Sequence, residues 1–280
     1  MSSGSRLADV GELGLLAELE RRGLAVRISN DAAELADGRV VTQDVLVEGV
    51  HFRLDWISWR DLGFRAAAVN LSDLAASGAH PEGLVVTLAA PSGTAVADVV
   101  ELYEGLAEAG TPVIGGDTSD SERLVLSVTA IGTSERVPGR AGAQPGDVLV
   151  VTGPLGASGA AFRRGSYVRP PLRLEEGRAL ARTAHALIDV SDGLARDAGH
   201  VAARSGCRVV VELDRVPLAD GAELTDLGFG EDYELLAAVP HGGALGFPEI
   251  GRCEEGDGVE LRLHGERVEL GGFEHFAARR

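Results

Sequence analysis

Apolar residues recur along this chain at two periods. Leu13, Leu16 and Leu19 form one stripe of a helix predicted over about 10–22, with Gly23 as its stop. Leu62, Ala66, Val69 and Asp73 recur at helical spacing over 61–78, and Val99, Leu102, Tyr103 and Leu106 do so over 94–109, before Gly110. Between these helices the pattern turns β-rich: a short strand end at Val40–Val41, a run over 83–89, a short strand leading into Gly115-Gly116-Asp117-Thr118, and a strand over 124–132.

The second half repeats the alternation. A strand is predicted over 147–153, then a Gly-rich turn through Gly159 and an Arg-rich loop or small helical region up to Arg182. A strand-to-acid turn over 187–193 leads into a helix over 194–205 stopped by Gly206, with Ser191 or Asp192 as its N-cap. A strand over 208–213, an acidic turn at 230–234 entering an apolar run, and short strands and turns complete the chain. Strands alternating with helices in both halves predict two mixed α/β layers. The Pro- and Gly-rich stretch 134–146 is the candidate crossing, dividing the chain into domains 1–136 and 137–280.

The net charge of −17 argues against a nucleic-acid partner, which requires clustered basic residues. All 26 basic residues are arginine, so mechanisms that need a lysine, among them the Walker A loop, the protein-kinase phosphate lysine and a pyridoxal Schiff base, are excluded. Apolar runs are of strand length, and the first residues lack a basic region followed by an apolar one. A cytoplasmic protein with no membrane partner is the expectation. Cys207 and Cys253 have no spacing that suggests a zinc site or a disulfide framework.

Against that background the acids are placed unevenly, recurring at glycine-bearing turns. Asp44 follows the strand end Val40–Val41, and His51 comes seven residues later behind Gly49. Asn30 and Asp31 are oxygen donors in a polar turn, equally readable as an Asx turn. Asn70 and Asp73 are close neighbours on a helix face otherwise made of small or apolar residues. Gly115-Gly116-Asp117-Thr118 is read either as a phosphate-cradling turn whose Asp holds Mg²⁺ or as a tight hairpin turn. Asp189 ends a strand and is harder to explain as a cap.

Taken in order, Asn30-Asp31-Ala32-Ala33, Thr42-Gln43-Asp44 through Glu48-Gly49-Val50-His51-Phe52, Asn70 through Ala79, Gly115-Gly116-Asp117-Thr118 and Asp189-Val190-Ser191-Asp192-Gly193 resemble the thiamine-monophosphate kinase family, ATP-dependent enzymes built like aminoimidazole ribonucleotide synthetase. Gly230 through Leu236 and Phe273-Glu274-His275-Phe276 extend the likeness nearly to the end of the chain. The resemblance implies a mixed α/β, two-domain fold whose N-terminal sheet pairs into a dimeric barrel, hence a homodimer, with the nucleotide in a cleft beside it. It implies the last step of thiamine diphosphate synthesis: direct, Mg²⁺-assisted transfer of a phosphoryl group from ATP to thiamine monophosphate, with no residue acting as general base.

The resemblance further implies metal ligation by Asn30, Asp31, Thr42, Asp44, Asp73, Asp117, Asp189 and Asp192, of which Asp44, Asp117 and Asp192 form the phosphoryl-transfer scaffold. It assigns ATP contacts to Tyr103, Gly116, Asp117, Arg140 and Ser191, and acceptor contacts to His51 and Phe273. This chain departs from the family pattern at Asn30, where an acid is usual, at Phe229, where glycine is common, and in a shorter second half. The neutral amide at Asn30 leads to the expectation of weaker occupancy at one metal position. Two alternatives stand beside this reading: a superfamily enzyme with another acceptor, and a catalytically weakened nucleotide-binding protein.

Overall fold

A computed structural model describes residues 6–26 and 30–273. The first helix, α1 (Leu7–Arg21), starts before the predicted position and kinks at Gly11, where φ is 65°. None of its residues is buried, and Leu13 is half exposed, so the leucine stripe finds no core among the described residues. Strands β1 (Ala33–Glu34) and β2 (Arg39–Val47) follow, then α2 (Trp59–Ala76), β3 (His80–Ala90), α3 (Val96–Glu108), β4 (Val113–Asp120) and β5 (Val125–Thr133). They make a five-stranded sheet in the order β1-β2-β5-β3-β4, antiparallel except for the parallel β3–β4 pair. Both α2 and α3 pack on one face of it, burying Leu62, Leu102, Leu106, Val86 and Val128.

Two glycines let those helices touch backbone to backbone. A Cβ at Gly63 would lie 1.8 Å from the Leu102 carbonyl oxygen, and one at Gly105 would lie 1.9 Å from that of Arg60. The Ser58 hydroxyl caps α2 by accepting the Asp61 N–H at 3.0 Å, which sets the helix start two residues before the predicted one.

Residues 134–147 carry no strand or helix and lead to a seven-stranded sheet. Its elements are β6 (Val148–Val151), α4 (Ala157–Arg163), α5 (Leu174–Ala181), β7 (Ala186–Asp189), α6 (Leu194–Ser205), β8 (Arg208–Glu212), β9 (Leu235–Val239), β10 (Glu249–Glu254), β11 (Gly258–Leu263) and β12 (Glu266–Val268). The strand order is β12-β11-β8-β10-β6-β9-β7, with only the β8–β11 pair parallel. On one face α6 buries Leu194, Ala198 and Val201 against Val209 and Leu236. On the other, Val150, Leu187 and Leu235 meet α5 and, from the first domain, Ala75 and Ala76 of α2. Helix α2 therefore packs on both sheets, which explains why it is alanine-rich all round rather than amphipathic.

Four local expectations are corrected. The strand at Val40–Val41 does not end there but runs to Val47, because β5 pairs with it along its whole length; Asp44 thus sits mid-strand. Gly115 to Thr118 is not a turn but lies inside β4, held by β3. The Gly-rich stretch through Gly159 turns helical at Ala157. The N-cap of α6 is Gly193 (φ 107°), not Ser191 or Asp192.

Candidate active site

Alternation along β2 turns Val40, Thr42, Asp44 and Leu46 toward α2. The Asp44 N–H donates to Asn70 Oδ1 at 3.0 Å, and Asn70 Nδ2 donates to the Ala66 carbonyl at 3.0 Å. One helical turn on, the Thr42 hydroxyl donates to Asp73, and its oxygen lies 3.2 Å from the Asp31 carbonyl. Ser72, on the adjacent side of α2, donates to Asp189 Oδ2 at 2.6 Å at the end of β7. The same two turns of helix thereby reach a strand of each sheet. Carboxylate oxygens of Asp31, Asp73 and Asp189 all lie within 4.8 Å of one another.

Burial in this crowd disfavours the charged form of the acids. The Asp44 carboxyl is pushed up to about 6 by burial and then by the charge of Asp31. Asp189 is pushed up to about 8 by burial and Asp31. Asp73 stands well above the usual carboxylate range through burial, then the charges of Asp44, Asp189 and Asp31. Burial raises Asp31 as well, although Arg140 opposes it by donating Nε and Nη2 to Asp31 Oδ1 at 3.0 and 2.5 Å. One guanidinium facing four acids leaves a site that binding of cations would complete, and an all-oxygen donor set suits a hard cation such as Mg²⁺.

Asn30 is turned elsewhere. Its Oδ1 accepts the Arg140 N–H at 3.2 Å and packs on Gly139, where a Cβ would lie 2.5 Å away, so the amide clamps the interdomain stretch. Ser29, which precedes it, lies outside the described residues.

The turn after β7 extends the site. Asp192, Asp197 and His200 also bring ligand atoms within 4.8 Å. Asp197 Oδ2 accepts the Asp192 N–H at 3.1 Å, and burial, then Asp192, lifts its carboxyl well above the usual range. Burial and the cations Arg140, Arg196 and Arg204 push the His200 imidazole down to about 4. The Ser191 carbonyl accepts the Glu231 N–H at 2.8 Å, and that of Asp192 accepts the Phe273 N–H at 3.0 Å. Glu274, His275 and Phe276 lie outside the described residues. His51 sits in the turn after β2, its Nδ1 accepting the Val47 N–H at 3.0 Å.

Tyr103, Gly116 and Asp117 come together at the far edge of the first sheet, lining a cavity of about 320 Å³ with Val86 and Val113. The register aligns Asp44, Val128, Val86 and Gly116 in one row and Val45, Ser127, Thr87 and Asp117 in the next. Asp117 thus belongs to the row that faces away from α2, three strand spacings, roughly 14 Å, from the row's end at β2. One chain by itself does not bring Asp117 to the other acids.

Sequence reasoning gave no site role to Ser72 or Glu231, although both lie in stretches it singled out, and passed over Asp197, His200 and Arg65. Arg65, buried on α2, pairs with Glu231 at 2.5 Å across the domains. Glu231 and Tyr233 hold left-handed backbone conformations (φ 59° and 53°), fixed by Asp232 accepting the Gly156 N–H at 2.8 Å and Glu234 pairing with Arg173 at 2.7 Å. The i, i+3 spacing of Asp197 and His200 on α6 was the one signal available.

The chain matches the family model described as AIR synthase related protein, N-terminal domain, over residues 29–134, and its C-terminal domain over 144–250. Thiamine-monophosphate kinase of Aquifex aeolicus is 33% identical, over 97% of this chain and 100% of that protein. The Mycobacterium tuberculosis (strain H37Rv) protein of the same name is 37% identical, over 88% and 84%. Among solved structures, AaThiL complexed with AMPPCP and TMP is similar with a TM-score of 0.89 and 33% identity, covering 98% of this chain and 100% of that one.

Proposed function

The chain belongs to the AIR synthase related family and, within it, to the thiamine-monophosphate kinases, and from that membership we infer that it transfers the γ-phosphoryl group of ATP to the phosphate of thiamine monophosphate, giving thiamine diphosphate and ADP. The observation that carries the reading is the cluster of Asp31, Asp73 and Asp189, drawn from both domains to within 4.8 Å of one another, with Asp44 close enough for the charge of Asp31 to raise its carboxyl.

The attacking group is an anionic phosphate oxygen, so positioning and charge neutralisation, rather than proton abstraction, are what the protein must provide. Asp31, Asp44, Asp73 and Asp189 are the residues that would hold Mg²⁺, which when bound offsets the phosphate charges. Thr42 and Ser72 orient the carboxylates of Asp73 and Asp189 through the hydrogen bonds they donate, and Asn70 holds the backbone of Asp44. Arg140 restrains Asp31 and offers a cation beside the phosphates. Tyr103, Gly116 and Asp117 line a cavity that would take part of the nucleotide, Arg140 and Ser191 being the further nucleotide contacts of this reading and His51 and Phe273 its acceptor contacts. Pairing of two first-domain sheets in a homodimer, with domains meeting near 136/137, is the assembly we propose; it would supply Asp117 from a neighbouring chain.

The test is a product assay with ATP, Mg²⁺ and thiamine monophosphate, with an Asp44→Ala control. Both thiamine diphosphate and ADP are expected, and neither from the control. A folded protein that binds ATP and Mg²⁺ yet makes no thiamine diphosphate would overturn the acceptor assignment.

A further inference from the structure

Aromatic side chains gather at the domain junction, in a group that the phosphoryl-transfer chemistry does not use. Trp56, a few residues beyond His51, meets Phe162 of α4 edge to face, with centroids 5.4 Å apart and planes at 67°. Tyr167 lies 6.1 Å from Trp56, and Phe229 packs on the other side of Phe162 at 4.9 Å. Although it has ring partners on two sides, Phe162 is 43% exposed. These rings already take planar cations: the Arg53 guanidinium sits 4.6 Å over Trp56, and that of Arg65 5.1 Å over Tyr167. Arg53 is exposed, with an ion pair to Asp55 two residues on, so it is readily displaced. Arg65 is enclosed, and its Nε has no hydrogen-bond partner among the described residues.

The group is continuous with the acid site. Phe229 leads into Gly230, where a Cβ would lie 2.3 Å from the Ser191 carbonyl oxygen and 3.0 Å from the Asp192 carbonyl carbon. Gly228 is packed as closely on Gly271, whose segment continues to Phe273 and its bond to the Asp192 carbonyl. Aromatic surface therefore runs outward from the Ser191–Asp192 turn, through Phe229 and Phe162, to Trp56.

We propose that Trp56, Phe162 and Phe229 form the surface on which the flat heteroaromatic part of the phosphate acceptor stacks while its phosphate reaches the acids. The identity of that acceptor rests on the kinase reading above. Thiamine monophosphate carries a thiazolium cation and an aminopyrimidine, both planar, and a planar cation over an electron-rich ring face is the contact Arg53 makes with Trp56.

Two measurements test it. In the first, Phe162→Leu/Phe229→Leu keeps apolar volume and removes the ring faces. The KM for thiamine monophosphate should rise roughly tenfold, a change of about 1.4 kcal/mol, while kcat and the KM for ATP stay within about twofold. In the second, Trp59→Phe leaves Trp56 as the sole tryptophan, and its fluorescence should be quenched by thiamine monophosphate with ATP absent. Unchanged KM together with no quenching overturns the proposal, even where product still forms and the kinase reading stands. Quenching without any thiamine diphosphate formation supports the aromatic surface and overturns the kinase reading instead. Should the double variant fail to fold, the quenching of Trp56 decides alone.

Discussion

Asp44 is held at a cost to the fold. Its carboxyl is pushed up to about 6, burial and Asp31 both disfavouring the charged form, yet its backbone N–H and the helix above it are fixed by Asn70. A group whose charge is unwelcome until a cation arrives is one whose neutral isostere should relieve the metal-free protein. Asp44→Asn is therefore expected to raise Tm in the absence of divalent ions while lowering kcat by roughly 100-fold or more, the scale of losing a preorganised electrostatic group. Thermal melting beside a steady-state assay checks both; a fall in Tm as large as the loss of turnover would reduce Asp44 to a structural residue. Asp73 and Asp189 drew attention in the sequence because an acid among small and apolar residues, or at a strand end where it is no cap, has few structural uses, whereas Asp44 was singled out through the family resemblance. Ser72 and Arg65 were not, since their partners Asp189 and Glu231 are 117 and 166 residues away and meet them only once α2 packs on the second sheet. Asn30 was legible as an oxygen donor, but its target, the Arg140 N–H, follows from the path of the crossing segment, which local pattern does not encode.

Elements were more readable than their ends. The helical periods of α2 and α3 and the alternation in both halves are dictated by burial on a sheet face, and they reappear in the fold. The reading that failed most plainly was the Gly115-Gly116-Asp117-Thr118 turn. Paired glycines signal a turn only when no neighbour competes for the backbone, and β3 does compete, pairing with this stretch in parallel register. The two glycines then have different work. A Cβ at Gly116 would sit 1.9 Å from the Val86 carbonyl oxygen, whereas one at Gly115 meets nothing within 4 Å. Gly116→Ala should push β4 off β3, destabilise by about 1–3 kcal/mol and weaken ATP use, because the cavity beside Tyr103 is shaped by that missing side chain. Gly115→Ala should stay within about 0.5 kcal/mol of the parent. Urea denaturation of the pair decides it, and equal stability of the two variants would contradict the close strand approach. The resemblance to a known family singled out the residues of this strand as a group, yet the direction in which Asp117 faces became visible only through the register.

At the scale of the whole molecule, the acid site is also the joint between the domains: Asp31 and Asp73 come from the first, Asp189 from the second, and Arg140 from the segment between them. Stability and cation binding are for that reason coupled. Asp189 is pushed up to about 8 in the fold, and Asp73 stands well above the usual carboxylate range, against about 3.9 for an unfolded aspartate. Between those values the native state holds protons that the unfolded chain has released, so stability falls as pH rises toward 8. His200, held down to about 4, contributes the opposite slope, but only below the ordinary histidine pKa near 6.5, above which it is neutral in both states. The window from pH 6.5 to 8 is thus left to the aspartates. In EDTA, Tm should drop steadily across that window, and saturating Mg²⁺ should remove most of the drop by binding the native state alone. Melting curves at four pH values with and without Mg²⁺ make the measurement. A Tm that is flat or rising from pH 6.5 to 8 in EDTA would mean that the acids are already ionised in the metal-free fold, and that the charge of Arg140 is enough to hold the two domains together.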